Sequence, residues 1–361
     1  MKANAIPIAG YFKLIVILVV ISIATFGCKK DKNSTAVSSY VQTNLVADTA
    51  GYGAARIDTN LDNPWGIAIG PTGILWISNN HSGSTAVYSG SGAQALPEVN
   101  IPLNGDENGA SPSGVIYNNT SGFMIPSNGM PAKFIYVTED GVITAWNTGD
   151  STILVADRSA ANAVYKGIAM ANDGTGNFLY VADIHNARVD VFDQSFNLVS
   201  GKSFTDPGIP AGFAPFNIVN IGGQLYVTYA KQKGPDNTDD QSGPGNGYVD
   251  IYNPNGTLVK RFASQGKLNS PWGIAQAPAS FGQGNNAILV GNFGDGHINV
   301  FDANGNYQGQ LMNGNAPISI DGLWAIIFPQ STAGSLDLNT LYFTAGPQEE
   351  TYGIFGYIKK Q

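Results

Sequence analysis

Along most of this chain, short runs of four to seven apolar, β-branched and aromatic residues alternate with clusters of Gly, Asn, Asp and Pro, which is the grammar of strands and tight turns. From about residue 40 onward no stretch keeps a helical period. The runs come as six copies of one unit. In the first copy the unit reads NPWGIAIG, ILWISNN, STAVYSG; in the third, YKGIAMA, FLYVAD, ARVDVFD; in the fifth, SPWGIAQA, ILVGNF, GHINVFD. Three copies fit more loosely: SPSGVIYN with FIYVTED and GVITAWN; APFNIVNI with LYVTYA and GYVDIYN; DGLWAIIF with TLYFTA and YGIFGYI. The reference positions Gly66, Gly114, Gly167, Asn217, Gly273 and Trp324 recur roughly every 50 residues, the period of a four-stranded propeller blade.

The pattern therefore predicts an all-β chain, a six-bladed β-propeller with four-stranded blades over residues 40–361. Asn255-Gly256 and Asn304-Gly305 fall between third and fourth strands, where hairpins need positive φ. A ring of blades must also join its ends, or it leaves two open sheet edges. The sixth copy supplies three strands, whereas one unassigned run, Asn44-Leu45-Val46-Ala47-Asp48, precedes the first copy and nearly repeats Ile153-Leu154-Val155-Ala156-Asp157 of blade two. An N-terminal strand closing the last blade is the expectation.

These strings, from YVQTNLVAD through NPWGIAIG, SFTDPGIPAGFAPFNI and LVGNFGDGHINVFD to LYFTAG, resemble an uncharacterised bacterial family of secreted propellers, itself similar to the NHL-type six-bladed group. The resemblance covers essentially the whole repeat region. It implies the fold and export, but supplies no catalytic residues to carry over.

The first 27 residues stand apart. Lys2 and Lys13 precede an apolar run, Leu14 to Phe26, shorter than the roughly 20 residues that span a bilayer and suited to a signal peptide. Cys28, the only cysteine in the chain, follows at once and reads as a lipid-acceptor site. Residues 1–27 are thus expected to be a lipoprotein signal peptide and residues 28–39 a lipid-anchored flexible tether. Lys29 and Lys30 beside the cysteine favour the outer membrane, on its periplasmic or surface side. Removing residues 1–27 takes away two lysines and shifts the formal charge from −8 to about −10. So acidic a body argues against nucleic acid and against anionic lipid surfaces. Only 12% of residues are charged, which favours an uncharged partner surface such as a glycan or a protein loop. A monomer is the expected state.

Loops joining second to third strands share one rim of a propeller with the blade-to-blade connections. All three histidines, His81, His185 and His297, lie in such loops, but in non-adjacent blades, which opposes a shared zinc. Second strands end at Asn79, Glu139, Asp183, Tyr229, Asn292 and Ala345. Glu139, Asp183 and Asn292 make the candidate ligands of an alternative calcium site, since that ion takes six to eight oxygens. The plainer reading is that Asp183 and Asn292 cap their own loops, and no cofactor is the main expectation. The starts of the inner strands, Trp65, Ser113, Lys166, Phe216, Trp272 and Leu323, make a poor metal set, and Lys166 would repel a cation. Trp65 and Trp272 pack at blade junctions or form an aromatic floor; Trp324, offset by one, takes the slot of Gly or Asn and is placed to plug the channel. Candidate ligand-binding residues are therefore Trp65, Asn79, Glu139, Lys166, Asp183, His185, Tyr229, Trp272, Asn292 and Trp324. The long blade-four loop, Lys231 to Gly247, is expected to be a lid or partner-binding arm, with Glu349 and Glu350 its nearest carboxylates in the pattern. No Gly-x-Ser-x-Gly or His-Glu-x-x-His motif occurs. A binding or scaffold module is the leading reading, with a metal-dependent hydrolase, lactonase or lyase as the alternative.

Overall fold

The computed structural model describes Met1, residues 39–330, Gly334 and residues 336–361. The expected signal peptide, Cys28 and the tether to residue 38 lie outside the described residues, as do residues 331–333 and 335.

Six blade sheets, antiparallel but for one short pairing in the last, follow one another along the chain. Blade one holds Pro64–Ile69, Leu75–Asn79, Ser84–Tyr88 and Val99–Asn100, and blade two Pro112–Tyr117, Phe134–Thr138, Val142–Trp146 and Ile153–Asp157. Blade three holds Tyr165–Asn172, Asn177–Asp183 and Arg188–Phe192, its outer edge reduced to a bridge between Phe192 and Leu198. Blade four holds Phe213–Ile221, Gln224–Lys231, Gly247–Tyr252 and Leu258–Ser264, and blade five Pro271–Gln276, Ile288–Asn292, Ile298–Phe301 and Tyr307–Gln310. Blade six takes Leu323–Ile327, Leu341–Ala345 and Ile354–Lys360 from the C-terminal part and its fourth strand, Tyr40–Ala47, from the other end of the chain, with the two-residue strand Arg56–Ile57 pairing in parallel with the end of Tyr40–Ala47.

That closing strand runs antiparallel to Ile354–Lys360, with Tyr40 opposite Lys360 and Ala47 opposite Ile354. Its apolar side chains hold it there: Leu45, Val46 and Ala47 are buried, and the buried Tyr40 donates its hydroxyl to Phe281 O at 2.8 Å. Burying Leu45 and Val46 stabilises the closure by about 1.5–3 kcal/mol each. The segment predicted from the repeat arithmetic is the one that latches the ring.

The core lies between the blades. Alternate residues of each strand face the neighbouring sheet, so the junction of blades one and two is filled by Ala68, Trp76, Val115, Phe134 and Tyr136, with Trp76 stacked on Phe134 at 4.1 Å. Near the axis the inner strands approach one another by backbone contact. A Cβ on Gly66 would lie 2.7 Å from Ser113 O, and one on Gly273 would lie 2.7 Å from Trp324 O, so neither position has room for a side chain. Gly256 and Gly305 carry the positive φ of their hairpins, each at 93°.

Candidate active or binding site at the loop rim

Strand register corrects the expected position of Trp324. Pro64 pairs with Asn79, Pro271 with Asn292 and Leu323 with Ala345, so Leu323 stands in the proline slot rather than the tryptophan slot. The hydroxyl of Thr344 accepts from Ala325 N as that of Thr228 accepts from Asn217 N. Ala325 is thus the blade-six counterpart of Gly66, Gly114, Gly167, Asn217 and Gly273, and Trp324 aligns with Trp65, Ser113, Lys166, Phe216 and Trp272. The misalignment arose because Leu replaces the usual Pro and Ala the usual Gly in LWAI.

These aligned side chains meet at the axis. Trp324 is sandwiched between Trp65, stacked at 3.7 Å, and Phe293, stacked at 4.0 Å. Trp272 stands edge-on at 5.8 Å and Phe216 lies at 6.0 Å. Trp324 is 0% exposed and donates its indole N–H to Asn63 Oδ1 at 3.1 Å. The channel is therefore plugged by an aromatic layer, as expected for Trp324, though by several residues together.

The one cation in this layer is Lys166. It is 1% exposed, with Nζ 4.8 Å from the Trp65 ring centroid. Nζ donates to Glu139 Oε1 and lies 3.5 Å from Asp239 Oδ1. Burial alone would pull this ammonium down, but Glu139 and Asp239, with Asp240 behind them, outweigh it and hold Lys166 above the ordinary lysine value. Glu139 and Asp239 remain 27% and 43% exposed, so the pair faces the rim. Asn80 Nδ2 fixes the other oxygen of Glu139 at 2.9 Å.

Glu350, from the blade-six loop, completes the mouth. Asn63 Nδ2 donates to it at 2.7 Å and also lies 3.3 Å from His81 Nε2. Burial pushes the Glu350 carboxyl up to about 7; the Asn63 donor and Lys166 oppose the rise, and Asp239 and Glu139 add to it. Three blades thus present Glu139, Asp239 and Glu350 around one buried lysine. The blade-four loop is pinned rather than free to act as a lid. Gln232 Nε2 donates to Ile184 O at 2.7 Å, and the buried Asp240 accepts from Ser270 Oγ and Ser242 Oγ.

Other predicted residues serve their own blades. Asp183 accepts from Val164 N, Asn186 N and Asn186 Nδ2, and Asn292 donates to Lys267 O and Asp295 Oδ1, which are loop caps. Asn79 donates to Ser84 Oγ and Glu98 Oε1. Tyr229 does not reach the rim: it is buried, its hydroxyl 2.8 Å from that of Tyr252 in the blade-three/blade-four core. His185 Nδ1 meets Asp236 O at 3.0 Å, and His81 and His297 pair with Asp62 and Asp295. Among the described residues no group of three or more His, Cys, Asp or Glu side chains is arranged to hold a metal ion. Asn63 and Glu350 went unrecognised as a pair, yet Asn63 carries a signal: like Ser270 it stands before Pro-Trp-Gly at positive φ, 45° against 48°, and grips an acid of the preceding blade.

No protein-family profile matches the chain. Among solved structures it is similar to a protein of unknown function from Bacteroides thetaiotaomicron, with TM-score 0.57 at 10% identity over 89% of this chain and 76% of that one. It is also similar to virginiamycin B lyase from Staphylococcus aureus with quinupristin, with TM-score 0.54 at 12% identity over 89% and 99%. At such identity the likeness shows the β-propeller fold alone. The matched sequence relatives come from a virus and do not support the expected bacterial family: "Uncharacterized protein L690" of Acanthamoeba polyphaga mimivirus is 36% identical over 319 residues, covering 85% of this chain and 82% of the relative. "Uncharacterized protein R648" of the same virus is 37% identical over 320 residues, covering 85% and 77%. At that identity and coverage, the chain belongs to the same family of six-bladed propellers as these two mimivirus proteins.

Proposed function

We propose that this protein is an exported binding module, lipid-anchored through Cys28 to the outer membrane of a cell envelope, which takes a glycan or protein partner on its loop rim. One observation carries the binding reading. Lys166 is fixed in an aromatic floor, while its partners Glu139 and Asp239, drawn from different blades, still face solvent. Convergent, preorganised polar groups over a rigid floor are what recognition of a polar ligand uses. The module acts as a monomer, without nucleic acid and without a resident cofactor. The test is a thermal-shift screen of neutral oligosaccharides and peptides, with and without calcium. A binder whose stabilisation disappears in Asp239→Asn supports the reading; binders indifferent to Asp239→Asn and Glu139→Gln would remove the rim from it.

A second reading has its own observation. Glu350, poised near neutrality and joined through Asn63 to His81, suits proton transfer in a hydrolase, lactonase or lyase. If that chemistry uses calcium, a chelator lowers the melting temperature of the purified protein; an unchanged melt removes the metal-dependent form.

A further inference from the structure

The aromatic plug divides the channel, and its other half is a separate chamber. From the layer of Gly66 and Gly114 to the first-to-second-strand turns, the six inner strands enclose a cavity of about 730 Å³ that opens on the face opposite the loop rim. Its deepest wall is a ring of one residue per blade, Ile67, Val115, Ile168, Ile218, Ile274 and Ile326, each following the small-residue layer. Every member is β-branched and none is more than 7% exposed. Further out, Ile69, Met170, Val219 and Ile327 are half-buried. Among the described residues lining the cavity none is charged, although the chain as a whole is acidic and the opposite mouth is crowded with carboxylates.

We propose that this blind chamber binds an uncharged, largely apolar small molecule that carries a hydrogen-bonding group at its outer end. The size lies within the range of ligand pockets, and apolar walls with few polar groups are their usual lining. An ion entering would shed its hydration with no counter-charge to meet it, so charge selects against entry. Asn217 lies deep in the wall but is satisfied there, donating to Trp272 O and accepting from Ile218 N, whereas Asn119, Asn172, Asn220 and Gln330 stand exposed where the chamber opens. Two of these amides are held by their own turns, Asn220 donating to Met170 O and accepting from Gly223 N, and Asn172 donating to Asn177 Oδ1 and accepting from Gly174 N, so each carbonyl oxygen has one further lone pair for a ligand donor. Because Trp65, Trp272 and Trp324 close the inner end, the ligand enters apolar end first and its polar end stays at the mouth.

Nile red, an uncharged dye whose emission shifts to the blue in apolar surroundings, tests this on the wild-type chain. Saturable binding of one dye per chain is expected. Adamantane-1-carboxamide should displace it at concentrations roughly tenfold or more below those needed of adamantane-1-carboxylate, since only the carboxylate has to bury a charge. Met170→Glu and Val219→Glu, each placing a carboxylate in the wall, should weaken dye binding by about tenfold or more. Unsaturable or absent dye binding, or equal displacement by amide and carboxylate, overturns the proposal, and neither result depends on whether a variant folds.

Discussion

Replacing Glu350 by Gln tests the electrostatics of the rim most directly. Burial raises this carboxyl from 4.5 to about 7. Between those two values the folded chain binds more protons than the unfolded chain, so stability falls as pH rises through the window. The contribution is present in full below the unfolded value and is lost once pH passes the folded one. A shift of that size corresponds to about 3 kcal/mol, and because Glu350 keeps partial solvent contact the expected loss is roughly 1–3 kcal/mol. Gln keeps the shape and an acceptor for Asn63 Nδ2 but cannot ionise. In urea unfolding from about pH 4 to about pH 8, wild type and Glu350→Gln should coincide in acid, and the variant should become more stable by roughly 1–3 kcal/mol at the alkaline end. Asp250, which burial raises to about 6, and the buried Asp240 and Asp183 titrate in both proteins and cancel in the difference. A difference that stays flat across this range, or that favours wild type as pH rises, would refute the burial argument.

Gly167→Ala should destabilise the fold by about 1–3 kcal/mol or more, because its Cβ would fall against Asn217 Oδ1 and lie 2.7 Å from Asn217 Cα; thermal melting reads this. Trp324→Ala should cost about 3–5 kcal/mol, the loss of a buried aromatic stacked on both faces, and denaturant unfolding reads it. Deleting residues 40–48 should lower the melting temperature and produce oligomers on a sizing column, since it bares the edge of Ile354–Lys360. A truncated chain that stays monomeric with an unchanged melt would contradict the latch.

The architecture was legible because it depends on recurrence. Pro-Trp-Gly-Ile strings, hairpin glycines and a spare strand at the far end of the chain are local features, and each blade repeats them. The fine register of blade six was harder, because Leu323 and Ala325 replace the residues that mark the pattern and only backbone pairing restores the alignment. The site was harder still. Glu139 and Lys166 come from adjacent blades, Asp239 from a long loop and Glu350 from the far side of the ring, so no spacing along the chain announces their meeting. Lys166 is the sharpest case. A lysine in a ring otherwise aromatic and small reads as a cation repeller, whereas in the folded protein its charge organises the carboxylates around it. Tyr229 failed for the opposite reason: its place in the repeat is equivalent, but its hydroxyl is drawn into the blade core by Tyr252.

Pairing Tyr40 with Lys360 makes the circle wait until the Ile354–Lys360 strand has been synthesised. Until the final strand has emerged, the opening strand has nothing to grip, and five blades must persist as an open arc with one incomplete margin. The same junction is the natural place for the arc to reopen, because it joins segments connected only through the entire remaining chain. The lifetime of the folded circle is therefore governed at this seam: contacts added across it slow unfolding, while equally strong contacts inside a middle blade chiefly help that blade form.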